Sequence, residues 1–435
     1  MERYSEYKDS GVKWLGEIPS HWELLKSKYL WKETFENSTS GKEDLLSVSQ
    51  YTGVTKSKAD SRSESLIGYK IVHKDDLVIN IMLAWLGGLG VSNDEGVVSP
   101  AYCTYKLIRN YNPKFLHYLY KTPMYLAEFA RHSTGVVPSR WRMYTDDFGQ
   151  VVSLLPPVEE QDAIVRYLDA ATSKIDKAIV MQQKMIDLLN ERKQIIIQNA
   201  VTKGLDENVE MKDSGVEWIG MIPKHWEISS IKHLINLLTD YDANGSFADI
   251  AQNCNICKGT PYAWMVRTTD LVNKRYGIVN GNNYCDKKTY DYLSKSSLSI
   301  NDIIIAKRGD IGKVFLIPDI DVPMTLAPNT YLLKTIKAKI NNNFLYYALS
   351  SKYGKDAMTI FNKSTTLGAL YKDDVKALPI ACPPLTEQIV IAAHLDKEMQ
   401  RFDSAITNCQ RQITLLQERK QIIINEVVTG KVKVS

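Results

Sequence analysis

Apolar residues recur at intervals of three, four and seven along two long stretches of the chain, residues 159–202 and 386–429. Neither stretch contains glycine or proline, and each follows a Pro-Pro pair, which keeps the preceding chain extended. This spacing predicts one long amphipathic helix in each stretch. The two apolar stripes are Leu168, Ile175, Ile179, Ile186, Leu189, Ile196 and Ala200, and Leu395, Phe402, Ile406, Ile413, Leu416, Ile423 and Val427.

The two stretches are copies of each other at a constant offset of 227 residues, so that Glu191-Arg192-Lys193-Gln194 returns as Glu418-Arg419-Lys420-Gln421. Helices of this length extend about 65 Å, and a narrow stripe on so long a rod needs a second rod to cover it. We therefore predict that the two helices form an antiparallel coiled coil. The alternative is that each helix packs on its own domain.

A second repeat precedes the first, because residues 7–23 return as residues 211–227 at an offset of 204. The chain therefore reads as short box, variable segment and helix, twice over, which indicates an internal pseudo-twofold. Each box carries two tryptophans, and we expect them to be core anchors that fix the box to a helix end. An exposed docking surface is the alternative. The tryptophans are Trp14, Trp22, Trp218 and Trp226.

The variable segments have a mixed α/β pattern. Residues 75–82 and 301–307 are rich in β-branched residues and lead into glycine-containing turns, which predicts strands and hairpins. Residues 115–129 and 344–358 resemble short helices. The predicted fold class is mixed α/β, with two α/β modules separated by two long helices. The predicted boundaries are 1–155 and 206–382 for the modules with their boxes, and 156–205 and 383–435 for the helices.

Composition adds limits on location. No stretch approaches the roughly 20 apolar residues of a membrane span, and the polar start of the chain does not resemble a signal peptide. Six cysteines in 435 residues do not suggest a disulfide framework. These features favour a reducing cytoplasm.

Signatures of catalysis are missing from the sequence. Residues 309–313 lack the spacing of a phosphate-binding loop, and neither Pro-Pro pair has the context of an amino-methyltransferase motif. Cys254 and Cys257 have zinc-ligand spacing but lack a second ligand pair, so ordinary thiols are the alternative. We therefore predict no catalytic residues, no metal and no cofactor in this chain, and a binding function. The alternative in this class is an enzyme with an unrecognised nuclease site.

A nucleic-acid partner fits the charge distribution and the symmetry. The variable segments 25–155 and 229–382 carry net charges of +3 and +6, an excess that solvated surfaces also show by chance. Proteins that read DNA often place two modules a fixed distance apart. Two loops, 132–142 and 362–372, combine basic residues, hydroxyls and glycine, although each could be a plain solvated turn. The candidate DNA-binding residues are Gln50, Tyr51, Lys56, Lys58, Arg62, Ser133, Thr134, Arg140 and Arg142 in the first module, and Arg267, Thr268, Thr269, Lys274, Arg275, Lys307, Arg308, Lys363, Ser364, Thr365, Thr366 and Lys372 in the second.

The boxes, the Pro-Pro-x-x-Glu-Gln helix starts at 156–161 and 383–388, and the two Glu-Arg-Lys-Gln helix ends resemble the specificity subunit of a type I restriction-modification system. The resemblance extends over essentially the whole chain, in the family's order. It implies two target-recognition domains, each reading one half of a split asymmetric site in double-stranded DNA. The helices would be spacers that set the gap between half-sites and dock two modification subunits.

The resemblance also implies that chemistry belongs to other chains. The modification subunits would carry S-adenosylmethionine and methylate adenine, and restriction subunits would add ATP- and Mg-dependent translocation and cleavage. This chain would be a non-catalytic DNA-recognition subunit. The alternative is a structural scaffold whose variable modules bind proteins.

Overall fold

The computed structural model describes residues 2–50, 52–57, 65–137, 140–257, 262–272, 277–278, 283–309, 311–360 and 369–434. Its helices are α1 (Pro113–Tyr120), α2 (Pro123–Arg131), α3 (Thr145–Gln150), α4 (Val158–Lys203), α5 (Phe247–Asn253), α6 (Lys287–Tyr292), α7 (Asn342–Ser350), α8 (Lys352–Ile360), α9 (Lys372–Ala377) and α10 (Leu385–Val428).

Most strands of the first half of the chain precede α1, and the later strands lie between the helices. Those before α4 are β1 (Tyr7–Asp9), β2 (Glu17–Pro19), β3 (Glu23–Lys26), β4 (Trp31–Thr34), β5 (Leu46–Ser49), β6 (Gly53–Lys56), β7 (Lys70–Val72), β8 (Leu77–Asn80), β9 (Leu89–Val91), β10 (Gly96–Val98), β11 (Tyr102–Leu107) and β12 (Val152–Leu155). Those after α4 are β13 (Met211–Asp213), β14 (Met221–Pro223), β15 (Glu227–Ser230), β16 (Ile235–Asp240), β17 (Ile256–Cys257), β18 (Ala263–Val266), β19 (Leu271–Val272), β20 (Gly277–Ile278), β21 (Tyr284–Cys285), β22 (Ser297–Leu298), β23 (Ile303–Ala306), β24 (Val314–Leu316), β25 (Met324–Leu326), β26 (Thr330–Thr335) and β27 (Pro379–Cys382).

The long helices α4 and α10 begin directly after the Pro-Pro pairs, within one residue of the predicted bounds. Every residue of the two predicted apolar stripes is buried or half-buried. Ion pairs join the helices in opposite chain directions: Asp176 with Lys420 at 2.7 Å, and Lys193 with Asp403 at 2.5 Å. The predicted antiparallel packing of the two helices is confirmed. None of the described helices combines the length and the apolar character that a membrane span requires.

The chain divides into two compact units, residues 1–183 with 410–435, and residues 184–409. In the first unit, an antiparallel sheet of order β4-β11-β8-β9 packs against the start of α4 and the end of α10. Trp22 is fully buried in this core, beside Phe115 and Leu168.

The second unit repeats the plan, with a sheet of order β16-β26-β23-β24 packed against the end of α4 and the start of α10. Trp226 is fully buried there, and Trp14 and Trp218 are half-buried in their respective units. The prediction that the tryptophans are core anchors is confirmed. A further sheet, β17-β21-β18-β25-β22, occupies the longer variable segment.

The short elements follow the predicted α/β pattern with one difference. The predicted strands at 75–82 and 301–307 correspond to β8 and β23, and β23 forms a hairpin with β24. Each predicted short helix is instead two helices, α1 with α2 and α7 with α8. In the first unit the break falls at Thr122, because Pro123 cannot continue α1 but fits the first position of a new helix.

Candidate nucleic-acid interface

The first copied box is anchored to the start of α4 by one carboxylate. Glu160 accepts a hydrogen bond from Trp22 Nε1 at 3.2 Å and another from the Tyr4 hydroxyl, and its second oxygen lies 2.8 Å from His21 Nε2. Burial and the bond to this carboxylate raise the pKa of Tyr4. The tryptophan therefore buries its ring and still satisfies its N–H group.

The second box repeats this anchor at the start of α10. Glu387 accepts from Trp226 Nε1 at 3.1 Å, and its other oxygen lies 2.8 Å from His225 Nε2. The glutamate of each Pro-Pro-x-x-Glu-Gln start is thus an internal fastening for the box.

The glutamine of each helix start ties the helix to its module. Gln161 donates to the carbonyl group of the preceding Pro-Pro pair at 2.8 Å and accepts from the backbone N–H of Asn112 at 2.8 Å. Its copy, Gln388, donates at 2.9 Å and accepts from the backbone N–H of Asn341 at 2.8 Å. Both side chains are buried. The copied residues therefore build a frame, made of the box and the helix start, that is the same in both units.

Backbone bonds close the base of the first candidate loop, of which residues 138 and 139 lie outside the described residues. Thr134 and Arg142 exchange two N–H···O bonds of 2.9 Å, and Ser133 Oγ donates to the backbone of α2 at 2.7 Å. A side chain at Gly135 would place its Cβ 2.6 Å from the carbonyl oxygen of Arg140, so only glycine allows this close approach.

The two arginines of this loop differ in exposure. Arg140 is exposed, and Arg142 is half-buried, with Nη1 3.5 Å from two loop carbonyl oxygens. The Trp141 ring packs edge-on against the Trp85 ring, with 5.4 Å between the ring centroids. Neither arginine forms an ion pair with a carboxylate among the residues that the structure describes. The loop thus carries positive charge that is not neutralised within the described part of its unit.

The second candidate loop is described only at its end, because 361–368 lie outside the described residues. Lys372 Nζ binds Asp240 at 2.8 Å, and Lys307 Nζ binds Asp240 and Asp242 at 3.1 Å each. Burial alone would raise the pKa of Asp240, but the two ammonium groups outweigh it and lower that pKa. These two candidate cations are therefore already paired.

Two further candidates also bind carboxylates. Lys56 pairs with Asp44 at 2.6 Å, and Arg267 pairs with the fully buried Asp270 at 2.7 Å. Thr268 and Thr269 lie in the 3-10 turn that follows Arg267. Backbone pairing of Arg308 with Ala369 brings the Lys307–Arg308 strand end next to the end of the second loop. Tyr51, Lys58, Arg62, Lys274, Arg275, Lys363, Ser364, Thr365 and Thr366 lie outside the described residues.

Sequence reasoning missed Lys121, a half-buried lysine that bonds to three backbone oxygens of the first module. Its Nζ donates to the backbone oxygens of Ser49 at 3.3 Å, Gln50 at 3.0 Å and Gly87 at 2.6 Å. Burial lowers the pKa of Lys121 to about 8. The candidate Gln50 is thus held by its backbone against the turn that carries Trp85. No local signal marks Lys121, since its partners are 34 to 72 residues away.

The possible zinc site of the sequence is not developed in the described part of the chain. Among those residues, no group of three or more His, Cys, Asp or Glu side chains could hold a metal ion. The side chain of Cys257 lies outside the described residues.

Comparison with known proteins gives a consistent result. Residues 223–417 match the family model described as the type I restriction modification DNA specificity domain. Over 97% of its length the chain is 23% identical to a Methanocaldococcus jannaschii protein named as the MjaX type I restriction enzyme specificity subunit, of which it covers 96%. It is 27% identical to the MjaVIII specificity subunit of the same organism, over 64% of this chain and 62% of that protein.

Solved structures share the fold. One chain, from a study of complex assembly and conformational transition of the type I R-M system, aligns with a TM-score of 0.71 at 14% identity, over 95% of this chain and 99% of the other. The HsdS subunit from Thermoanaerobacter tengcongensis aligns with a TM-score of 0.50 at 16% identity, over 95% of this chain and 98% of that one.

Proposed function

Because the chain belongs to the DNA specificity subunits of type I restriction-modification systems, we propose that it is the non-catalytic subunit that reads DNA sequence for its complex. Each variable module reads one half of a bipartite asymmetric site, and the helix pair sets the gap between the halves. The subunit directs adenine methylation and restriction that are carried out by partner chains, in the cytoplasm.

The observation that carries this proposal is the contrast between frame and loops. The anchors Glu160 and Glu387 make matching bonds in the two units, whereas the loops that follow the module helices differ in sequence. The loop at 132–142 presents Arg140 and Arg142 without a carboxylate partner among the described residues, and guanidinium groups suit both phosphates and guanine edges. Two loops of different sequence, each held by the same kind of frame, suit an asymmetric DNA site.

The partners follow from the same family membership. We propose that two modification subunits dock on the helix pair and that restriction subunits join the complex. S-adenosylmethionine, ATP and Mg²⁺ belong to these partners. Support for two docking places comes from the long helices, where Leu188 and Ile195 are 60% and 52% exposed and their copies Leu415 and Ile422 are 53% and 55% exposed. Exposed apolar residues at repeated positions are typical of an interaction surface.

Salt dependence separates a DNA reader from a protein-binding scaffold. The target site is first obtained by mapping methylated adenines in cells with and without this gene. Affinity of the assembled complex for that site is then measured from low to high salt. A DNA reader loses affinity with a log–log slope of about −0.9 for each phosphate contacted. A scaffold shows no specific binding, and metal-dependent cleavage by the purified chain alone would instead reveal an enzyme.

Arg140→Ala combined with Arg142→Ala tests the loop within this assay. We expect affinity to fall on the order of tenfold or more, with a shallower salt slope, because two cations without a carboxylate partner among the described residues are lost. Arg109→Ala is the matched control, since Arg109 is an exposed arginine of the same unit outside the loop. Unchanged affinity and unchanged sequence choice would remove the loop from the interface.

A further inference from the structure

The internal repeat continues upstream of the helices, to just beyond the first candidate loop and into the end of the second. At the same offset of 227, Tyr144-Thr145-Asp146-Asp147 returns as Tyr371-Lys372-Asp373-Asp374. The residues before these tetrapeptides differ between the copies, from Arg140-Trp141-Arg142-Met143 to Leu367-Gly368-Ala369-Leu370. A tyrosine and two aspartates are thus shared within otherwise diverged segments.

The aspartates have a role inside the protein. Asp147 accepts from the backbone N–H of Tyr144 at 3.2 Å, and Asp374 accepts from that of Tyr371 at 3.4 Å. Each pair of aspartates lies in the first turn of a short helix, α3 or α9, where negative charge is favourable. Helix capping therefore explains why the acidic residues recur.

The tyrosine side chains have no such role within the described residues. Tyr144 is 53% exposed and Tyr371 is 57% exposed, and no hydrogen bond of either hydroxyl is found among the described residues, since neither side chain caps its own helix. Another shared tyrosine shows the contrast, because Tyr118 and Tyr347 each donate a 2.7 Å bond to an aspartate of a long helix. Tyr118 and Tyr347 recur because each bonds its module to a long helix. The recurrence of Tyr144 and Tyr371 therefore indicates an external partner.

The partner must offer the same chemistry to both modules. Bases differ between the two halves of an asymmetric site, but the phosphodiester backbone does not. Tyr144 lies two positions after Arg142, which like Arg140 has no carboxylate partner among the described residues, and Tyr371 lies near the end of the second candidate loop. An exposed phenol donates one hydrogen bond, and phosphate oxygens are among the groups that tyrosine hydroxyls bind at DNA interfaces.

We propose that Tyr144 and Tyr371 are matched, sequence-independent contacts, each donating its hydroxyl to a backbone phosphate of its own half-site. This inference rests on the proposed function. It assigns the two tyrosines to positioning the duplex, and leaves the choice of bases to the residues that differ between the loops. Loss of one hydroxyl then weakens binding to every duplex by a similar factor.

The test uses the assembled complex with its modification subunits and the variants Tyr144→Phe, Tyr371→Phe and both together. Dissociation constants are measured for the mapped site, for single-base variants of it and for an unrelated duplex. We expect each change to weaken binding about five- to tenfold on all three kinds of DNA, with the ratios between them unchanged. Tyr29→Phe is the matched control, because Tyr29 is 49% exposed in the first unit.

A second arm locates the phosphate. A series of duplexes is made, each with one neutral methylphosphonate at a different position. At one position the methylphosphonate should weaken DNA binding by the unchanged complex but cause no additional loss of binding by the Tyr144→Phe complex. Unchanged affinity of the variants would overturn the proposal, as would a loss confined to one base pair. Loss of a modification subunit, measured by native mass spectrometry, would assign the tyrosines to that protein instead. If the unchanged complex fails to bind its mapped site, the proposed function itself is wrong.

Discussion

His117 shows how burial at a single residue couples this fold to pH. Its Nδ1 accepts the backbone N–H of Val91 at 3.1 Å, and its ring fills the space that Gly53 leaves open, where a Cβ would lie 2.9 Å from the ring. Burial lowers the pKa of His117 to about 4, with Lys121 and Lys114 adding to the shift. The folded protein therefore holds this ring neutral where an unfolded chain, with a pKa near 6.5, would bind a proton.

The pH dependence of stability follows from that difference. Between about pH 6.5 and 4 the unfolded chain binds more protons, so the free energy of unfolding should fall as pH falls, by about 3 kcal/mol from this residue. His117→Gln, which keeps an acceptor, should flatten the decline when unfolding is measured by urea titration at several pH values. The control is His73→Gln at an exposed histidine. An equally steep decline in the His117 variant would contradict the assignment.

Residue types at the candidate interface could be predicted from the sequence, but their pairing could not. Lys372 binds Asp240 across 132 positions of the chain, so its partner becomes visible only after folding. Arg267 and Asp270 are only three residues apart, so their ion pair could have been predicted from the sequence. The recurrence of Tyr144 as Tyr371 could also have been found in the sequence, by extending the repeat upstream of the long helices. The DNA contacts themselves remain predictions.

At the scale of elements, local signals determined what could be predicted. The helices α4 and α10 could be bounded within one residue because the Pro-Pro pairs and the apolar period are local features. The break between α1 and α2 was also local, at Pro123, but the apolar pattern ran across it. The five-stranded sheet of the second unit could not be predicted, because its strands are short and pair across long separations.

The exposed faces of the long helices yield a prediction about assembly. Leu188 lies on α4 in the second unit and Leu415 lies on α10 in the first, and burying such residues against a partner stabilises a complex. We expect Leu188→Lys to weaken binding of one modification subunit and Leu415→Lys to weaken binding of the other, each at least tenfold, because a charge would be buried. Stoichiometry measured by native mass spectrometry should fall from two modification subunits to one.

Asn190→Lys supplies the control for this test, since Asn190 is exposed two positions from Leu188 and faces another side of α4. It adds the same charge without touching the apolar pair. Full assembly in the two leucine variants would exclude these positions from the docking surface. Equal loss in the asparagine variant would point to charge rather than to contact.

At the scale of the whole chain, the frame is suited to the exchange of modules. In the first unit, β3 pairs antiparallel with β12, so Leu25 lies opposite Ser153 and the two ends of segment 25–155 are neighbours. Gln161 holds this segment through the backbone N–H of Asn112, a group that every non-proline residue supplies. A different sequence in the segment can therefore make the same bond to Gln161.

Replacement of residues 25–155 by the equivalent segment of another family member should consequently change one half of the DNA site and leave the other half and the gap intact. The incoming segment must keep the tyrosine equivalent to Tyr118, because its bond to Asp169 crosses to the helix. Methylated adenines mapped in cells provide the measurement. The reciprocal exchange of residues 229–382 should alter the opposite half. If either exchange alters both halves of the DNA site, recognition is shared between the modules. The modules anchored at Glu160 and Glu387 would then not read their half-sites independently.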